Sequence, residues 1–103
     1  MHRHPDMGIV CWQCGEQMWV AVSKDAQADY NSTHFQLKLG SWPNRDLQKR
    51  YRENPEAFRW SLIRPLEYED ETEDYSEDLQ ILLMEFMEEF PEAKPMRPGK
   101  KIR

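Results

Sequence analysis

Two cysteines separated by two residues, Cys11 and Cys14, are the side chains of this 103-residue chain whose spacing most directly suggests chemistry. Two thiolates at this spacing in a tight turn can bind one tetrahedral Zn²⁺, and the glycine that follows lets the backbone curl beneath the metal. Two more ligands are needed, and the chain has three histidines that could supply them. We therefore predict a zinc site formed by Cys11, Cys14, His34 and His4.

The cysteine segment, residues 11–15, resembles the knuckle of zinc-ribbon and rubredoxin-like modules. Those modules carry a second cysteine pair, whereas this chain has two cysteines in all. Two other interpretations stay open, namely unligated thiols and redox chemistry. The redox interpretation is weaker, because a reactive first cysteine normally lies at a helix N-terminus and the flanks here have the composition of strands.

Basic side chains and aromatic rings are interleaved in the middle of the chain. Basic side chains can follow phosphates while exposed rings stack on bases, which predicts a nucleic-acid interface as one alternative. Neighbouring acids, among them Asp46 and Glu53, offset much of this charge and favour an ordinary charge-balanced surface instead. The basic residues of the alternative are Arg45, Lys49, Arg50, Arg52 and Arg59, and the rings are Trp42, Tyr51 and Trp60.

The acidic residues are concentrated in one block. Residues 65–93 contain twelve Asp/Glu and no Lys/Arg, whereas residues 94–103 contain five Lys/Arg and no acid. Like charges this close repel each other unless a partner compensates them, so we predict that the block binds a basic surface on a larger protein. The alternatives are contacts with the chain's own basic side chains and a role in solubility. The predicted partner-binding residues are Glu67, Tyr68, Glu69, Asp70, Glu71, Glu73, Asp74, Tyr75, Glu85, Glu88 and Glu89.

The hydrophobic pattern predicts an α+β fold with a small antiparallel sheet of two or three strands. Apolar stretches at residues 8–11 and 18–22 predict a hairpin, residues 24–33 a loop or single helical turn, and the alternation at residues 34–39 a third strand. Two short central helices are predicted at residues 45–53 and 55–63, since Asn44 and Asn54 can each cap a helix. A stripe of apolar side chains predicts a C-terminal amphipathic helix over residues 76–90.

The length predicts one domain with a small core. We place this domain at residues 1–90, with an acidic linker at residues 66–76 and a disordered, basic, proline-rich tail at residues 91–103. No apolar run approaches the roughly 18 residues that cross a bilayer, and the first residues do not form a secretory signal, so the expected location is cytoplasmic and no membrane partner is expected.

These features predict a non-enzymatic protein-interaction module that binds and modulates a larger, nucleic-acid-processing protein through its acidic surface. The carboxylates lack the burial that tunes a catalytic pKa, and the glycines are too isolated to form a phosphate-binding loop. In charge segregation and size, though in no motif, the chain resembles host-takeover, anti-defence and DNA-mimic inhibitor proteins of bacteriophages. The alternative function is a zinc-knuckle nucleic-acid-binding protein that uses residues 45–64.

Overall fold

The computed structural model describes residues 5–69 and 73–97. Two strands come first, β1 (Gly8–Cys14) and β2 (Gln17–Ser23), followed by two helices, α1 (Ala26–Leu39) and α2 (Arg45–Glu53). A 3₁₀ turn at Pro55–Ala57 leads into β3 (Phe58–Pro65), and α3 (Ser76–Glu89) and the two-residue strand β4 (Lys94–Pro95) complete the fold. Within these described ranges, no helix is long and apolar enough to cross a membrane.

The four strands form one mixed sheet in the order β3-β1-β2-β4. Strand β1 pairs antiparallel with β2 and with β3, whereas β4 pairs with β2 in parallel. The hairpin between β1 and β2 turns at Gly15, whose φ of 62° lies in the left-handed region that glycine adopts without strain. The α+β class is confirmed. The predicted sheet of two or three antiparallel strands is only roughly matched, because the sheet has four strands and β4 is parallel to β2.

Helices cover both faces of the sheet and bury β1 between them. Val10 and Trp12 point to the face covered by α1 and α2, and Ile9 and Cys11 point to the face covered by α3. Alternate residues of a strand face opposite sides, so a central strand buried on both faces must be apolar throughout. The chain therefore forms three layers with β1 at their centre.

Helix α1 replaces the predicted loop at residues 24–33 and the predicted strand at residues 34–39, and both predictions are wrong. The Asp25 carboxylate accepts a hydrogen bond from the Ala28 amide at 3.1 Å and caps the first turn. The alternation of three apolar residues was misleading, because Leu37 is buried while Phe35 and Leu39 are 62% and 65% exposed.

The predicted second central helix at residues 55–63 is also wrong, because only the 3₁₀ turn forms and β3 follows it. Asn54 makes no side-chain capping hydrogen bond. Trp60 and Leu62 face α1 and α2, while Arg59 lies on the opposite face. The first central helix is confirmed as α2, and the Asn44 side chain accepts a hydrogen bond from the Leu47 amide at 3.2 Å.

Helix α3 lies where the C-terminal amphipathic helix was predicted, and its Leu79 and Phe86 are buried. Beyond it, the Met96 side chain is buried in the core, and its carbonyl accepts a hydrogen bond from Trp42 Nε1 at 3.0 Å. Residues 94–97 are thus held against the sheet, although we predicted a disordered tail from residue 91. Residues 98–103 of that predicted tail lie outside the described residues.

The burial of Phe86 predicts that this side chain holds α3 against the sheet. Its ring is fully buried against the sheet and lies 4.8 Å from the Phe90 ring, so Phe86→Ala leaves a cavity and lowers the free energy of unfolding by about 3–5 kcal/mol. Urea denaturation followed by tryptophan fluorescence measures this loss. Met84→Ala on the same helix is the control, since Met84 is 63% exposed and its truncation changes stability by at most about 0.5 kcal/mol. Equal losses in the two variants would contradict the docking of α3 described above.

Candidate nucleic-acid interface

The two cysteines lie on β1 and point to opposite faces of the sheet. Cys11 belongs to the core beneath α3, whereas Cys14 packs against the core beneath α1 and α2. The chain turns only after Cys14, so the spacing of three positions separates the sulfurs instead of bringing them together. Burial raises the pKa of the Cys11 thiol to about 11, which keeps it protonated and unreactive at neutral pH.

Cys11 and Cys14 therefore do not form the chelating pair that their spacing predicted. In residues 5–69 and 73–97, no three side chains of His, Cys, Asp or Glu lie together as metal ligands would. His34 contacts aromatic rings, with its own ring stacked on Tyr30 at 5.1 Å and 19°. His4 lies outside the described residues, so zinc binding as a whole stays a prediction.

Aromatic side chains surround an open cavity of about 520 Å³ between α1, α2 and β3. We call it the aromatic cavity. Trp12 forms its floor and is fixed by a hydrogen bond from its Nε1 to Thr33 Oγ1 at 3.2 Å. Trp60 meets the Trp12 ring edge to face at 5.1 Å. The rings that line the cavity are Trp12, Tyr30, His34, Tyr51, Phe58 and Trp60.

Several polar atoms in the aromatic cavity have no hydrogen-bond partner among the described residues. The structure shows no hydrogen bond for the hydroxyls of Tyr30 and Tyr51, the imidazole of His34 or the indole N–H of Trp60 within the described part of the chain. Burial, with a further contribution from the nearby Tyr30, raises the pKa of Tyr51, so its hydroxyl stays protonated and able to donate. The cavity thus combines ring faces with free donors and acceptors.

Three basic side chains form a row along the exposed side of α2. Arg45, Lys49 and Arg52 follow one another at intervals of four and three residues, which places them on one face of the helix. They line a cavity of about 510 Å³ whose lining includes no acid, and we call this the basic groove. None of the three pairs with an acid in the described structure, so their charge is available to a ligand.

A third cavity, of about 390 Å³, adjoins the other two. It shares Tyr51 and Pro55 with the aromatic cavity, and Gly40 and Arg52 with the basic groove. Gly40 ends α1 with a φ of 81°, and a Cβ at this position would lie 2.7 Å from the Arg52 guanidinium. Glycine therefore leaves room for Arg52 where the cavities adjoin, and the three neighbouring cavities follow one another along α2 as a track.

Three of the five basic residues predicted for a nucleic-acid interface thus line one groove, and two lie elsewhere. The Arg50 guanidinium pairs with the Asp46 carboxylate of the same helix at 3.5 Å. Arg59 is exposed on the α3 side of the sheet, opposite Gln13 of β1. The spacing along α2 already separated the row from Arg50, but the ring cluster required the position of α1.

The acidic block makes several contacts with the chain's own residues. Arg64 binds Glu89 at 2.8 Å, and Lys24 lies 3.6 Å from Asp74. The Tyr68 hydroxyl donates to the Pro5 carbonyl, and the rings of Tyr68 and Tyr75 lie 5.3 Å apart. Of the other predicted residues, Asp70 and Glu71 lie outside the described residues. The exposed acids for which the described structure shows no ion pair or hydrogen bond are Glu67, Glu69, Glu73, Glu85 and Glu88.

Known proteins resemble this chain in fold only. No protein-family model and no curated protein sequence matches it. Two solved structures do. The catalytic domain of homing endonuclease I-TevI matches with a TM-score of 0.70 and 14% sequence identity, over 89% of this chain and 99% of that chain. A glutamate-to-alanine mutant of the catalytic domain of intron endonuclease I-TevI matches with a TM-score of 0.71 and 14% sequence identity, over 92% of this chain and 97% of that chain. This chain shares the fold of these two structures.

This likeness overturns the predicted function. A non-enzymatic interaction module, inhibitor or DNA mimic is contradicted, because both solved structures with this fold are catalytic domains of an endonuclease. The interaction part of the prediction rested on the acidic block, and its non-enzymatic part rested on the absence of catalytic motifs from the sequence. A shared fold at 14% identity does not require shared sequence motifs, so the absence of recognisable catalytic motifs was a poor guide.

The positions of the two cysteines predict unequal reactivity. In the folded protein at pH 8, a thiol-specific reagent such as Ellman's reagent should modify Cys14 readily and leave Cys11 untouched, because roughly one Cys11 in a thousand is then a thiolate and the side chain is buried. Peptide mapping identifies the modified residue, and both thiols should react in urea. Equal rates in the folded protein would contradict the burial of Cys11.

Proposed function

We propose that this chain is a nucleic-acid-directed domain that binds the sugar–phosphate backbone in the basic groove. The row of unpaired cations on α2 carries the proposal. Arg45 and Arg52 each offer a planar set of N–H donors that matches phosphate oxygens, and Lys49 adds a compact charge between them. The net charge of −5 does not oppose this, because the acids are concentrated in the segment after residue 64.

The length of the row sets the size of the contact. Seven helical positions separate Arg45 from Arg52, a rise of about 10 Å. One strand of a nucleic acid carries a phosphate about every 3.4 Å along its axis, so the row matches about three phosphates. Rings that can stack on bases lie at the other end of the same track, as in proteins that bind single strands. The fold likeness to an endonuclease catalytic domain supports the same class of ligand.

Charge reversal in the basic groove should weaken binding in a salt-dependent way. For Lys49→Glu we expect at least about a tenfold loss of affinity for a fluorescent single strand at 50 mM salt. The slope of log affinity against log salt should also become shallower by about 0.7, the contribution of one phosphate contact. Fluorescence anisotropy measures both quantities.

Arg59→Glu is the matched control for Lys49→Glu, because it reverses one exposed, unpaired charge on the α3 side of the sheet. It should leave the affinity within about twofold of the unmodified protein. If Arg59→Glu weakened binding as much as Lys49→Glu, the groove would have no special role. Failure of the unmodified protein to bind DNA or RNA at 50 mM salt would overturn the proposal.

Phosphodiester hydrolysis is the second candidate function, and the fold of an endonuclease catalytic domain is the observation that favours it. We expect labelled single- or double-stranded DNA, or RNA, to yield shorter products when incubated with the purified chain and Mg²⁺, resolved by denaturing electrophoresis. Lys49→Glu should slow cleavage at low substrate concentration, whereas Arg59→Glu should not. Intact substrate across all three nucleic acids would remove this candidate and leave backbone binding to be judged by its own test.

A further inference from the structure

We infer that the aromatic cavity receives one unstacked nucleobase of the strand whose backbone lies in the basic groove. This inference rests on the proposed function and adds to it a defined place for a base. The two sites are neighbours, because the third cavity shares Tyr51 with one and Arg52 with the other. A strand bound by its phosphates along α2 therefore has a base-sized opening beside it.

The rings of the aromatic cavity stand at angles to each other and leave open faces. Trp60 lies 5.1 Å from Trp12 at 64° and 5.6 Å from Tyr30 at 56°. Tyr30 and Trp60 are only half-buried, so both rings meet the open volume. That volume, about 520 Å³, lies within the roughly 300–1,000 Å³ of pockets that hold small planar ligands.

The polar lining distinguishes a base from a phosphate. Among the described residues, no Lys or Arg lines the aromatic cavity, and the acid at it is Asp6, whose carboxylate repels an anion. The hydroxyls of Tyr30 and Tyr51 and the His34 imidazole have no protein partners in the described structure. A neutral, flat ligand with donors and acceptors on its edge satisfies these groups, and a nucleobase has this chemistry.

The floor of the cavity is held in place before any ligand binds. Thr33 Oγ1 accepts the Trp12 Nε1 hydrogen bond and donates its own hydrogen to the Asp29 carbonyl at 2.8 Å. Trp12 is 3% exposed and also contacts the rings of Tyr51 and Phe58. A rigid ring surface reduces the ordering cost of binding, which favours a stacked ligand.

The first experiment uses free nucleosides and is independent of backbone binding. The chain has four tryptophans, so a ¹⁵N-labelled sample gives a small set of assignable indole N–H signals. Millimolar adenosine, guanosine, cytidine and thymidine are added separately. At least one should shift the Trp60 signal in a saturable manner and leave the Trp42 signal unmoved, because Trp42 lies outside the aromatic cavity. Absence of a shift at Trp60 with all four nucleosides would overturn the inference.

The second experiment compares a 15-nucleotide thymidine strand with an abasic strand of the same length and charge. We expect the base-bearing strand to bind about tenfold more tightly, the difference that stacking of one base on an aromatic side chain contributes. Tyr30→Ala should remove this difference, whereas Phe35→Ala should keep it, because Phe35 is an exposed ring on the same helix outside the cavity. Circular dichroism confirms that both variants are folded.

The outcomes separate the two proposals. Equal binding of the base-bearing and abasic strands would overturn the base site while leaving the backbone groove intact. Loss of all strand binding together with a nucleoside shift at Trp60 would overturn the backbone groove and keep the base site. A quaternary ammonium probe, choline, tests the competing ligand for aromatic rings beside a carboxylate, and a saturable Trp60 shift with choline but with no nucleoside would overturn the inference.

Discussion

The environment of the Trp12 ring is the constraint on which the rest of this structure depends. Trp12 lies on the central strand and contacts rings from α1, α2 and β3, while its indole N–H is satisfied by Thr33 of α1. One side chain thus sets where both helices and the edge strand meet the sheet. Because the Trp12 ring is large and buried and its N–H bonds to Thr33, this side chain helps to hold α1 against the sheet. The aromatic cavity is the space that this arrangement leaves open.

The two faces of the sheet have different electrostatic character. On one face, α2 presents unpaired cations beside aromatic rings, whereas α3 on the other face carries acids at its exposed positions. Like-charge repulsion disfavours a phosphate backbone on the α3 face and directs it toward α2. If nucleic acid binds along α2 as we propose, the acidic block would keep it away from the α3 face, although from the sequence the block looked like a surface for a basic partner. Its pairs with Arg64 and Lys24 also attach it to the chain itself.

The sequence predicted the elements whose apolar pattern matches their burial. Helices α2, with its Asn44 cap, and α3 follow from local rules, because their buried residues recur with the helical period. The hairpin follows from two apolar stretches on either side of a tight turn. Helix α1 escaped prediction since it buries few apolar side chains and leaves Phe35 in solvent. Strand β3 was mistaken for a helix because Asn54 and Pro55 have the types that begin one, and only pairing with β1 decides otherwise.

The candidate site was predicted in part, for the same physical reasons. The basic row on α2 can be read from its spacing once α2 is known, whereas the ring cluster joins residues from three elements far apart in the chain. The cysteine pair misled because a spacing of three positions brings side chains together in a turn and separates them on a strand. Its interpretation therefore depended on where the hairpin turns, which is at Gly15, after the second cysteine.

Photochemical crosslinking tests the central claim most directly. A single strand carrying 5-iodouracil is irradiated with the intact protein, and the attached peptides are identified by mass spectrometry. We expect crosslinks to Tyr30, Tyr51 or Trp60, in peptides from α1, α2 and β3. Crosslinks confined to the peptide that contains α3 would contradict binding of a base in the aromatic cavity, and so would the absence of any crosslink at 50 mM salt.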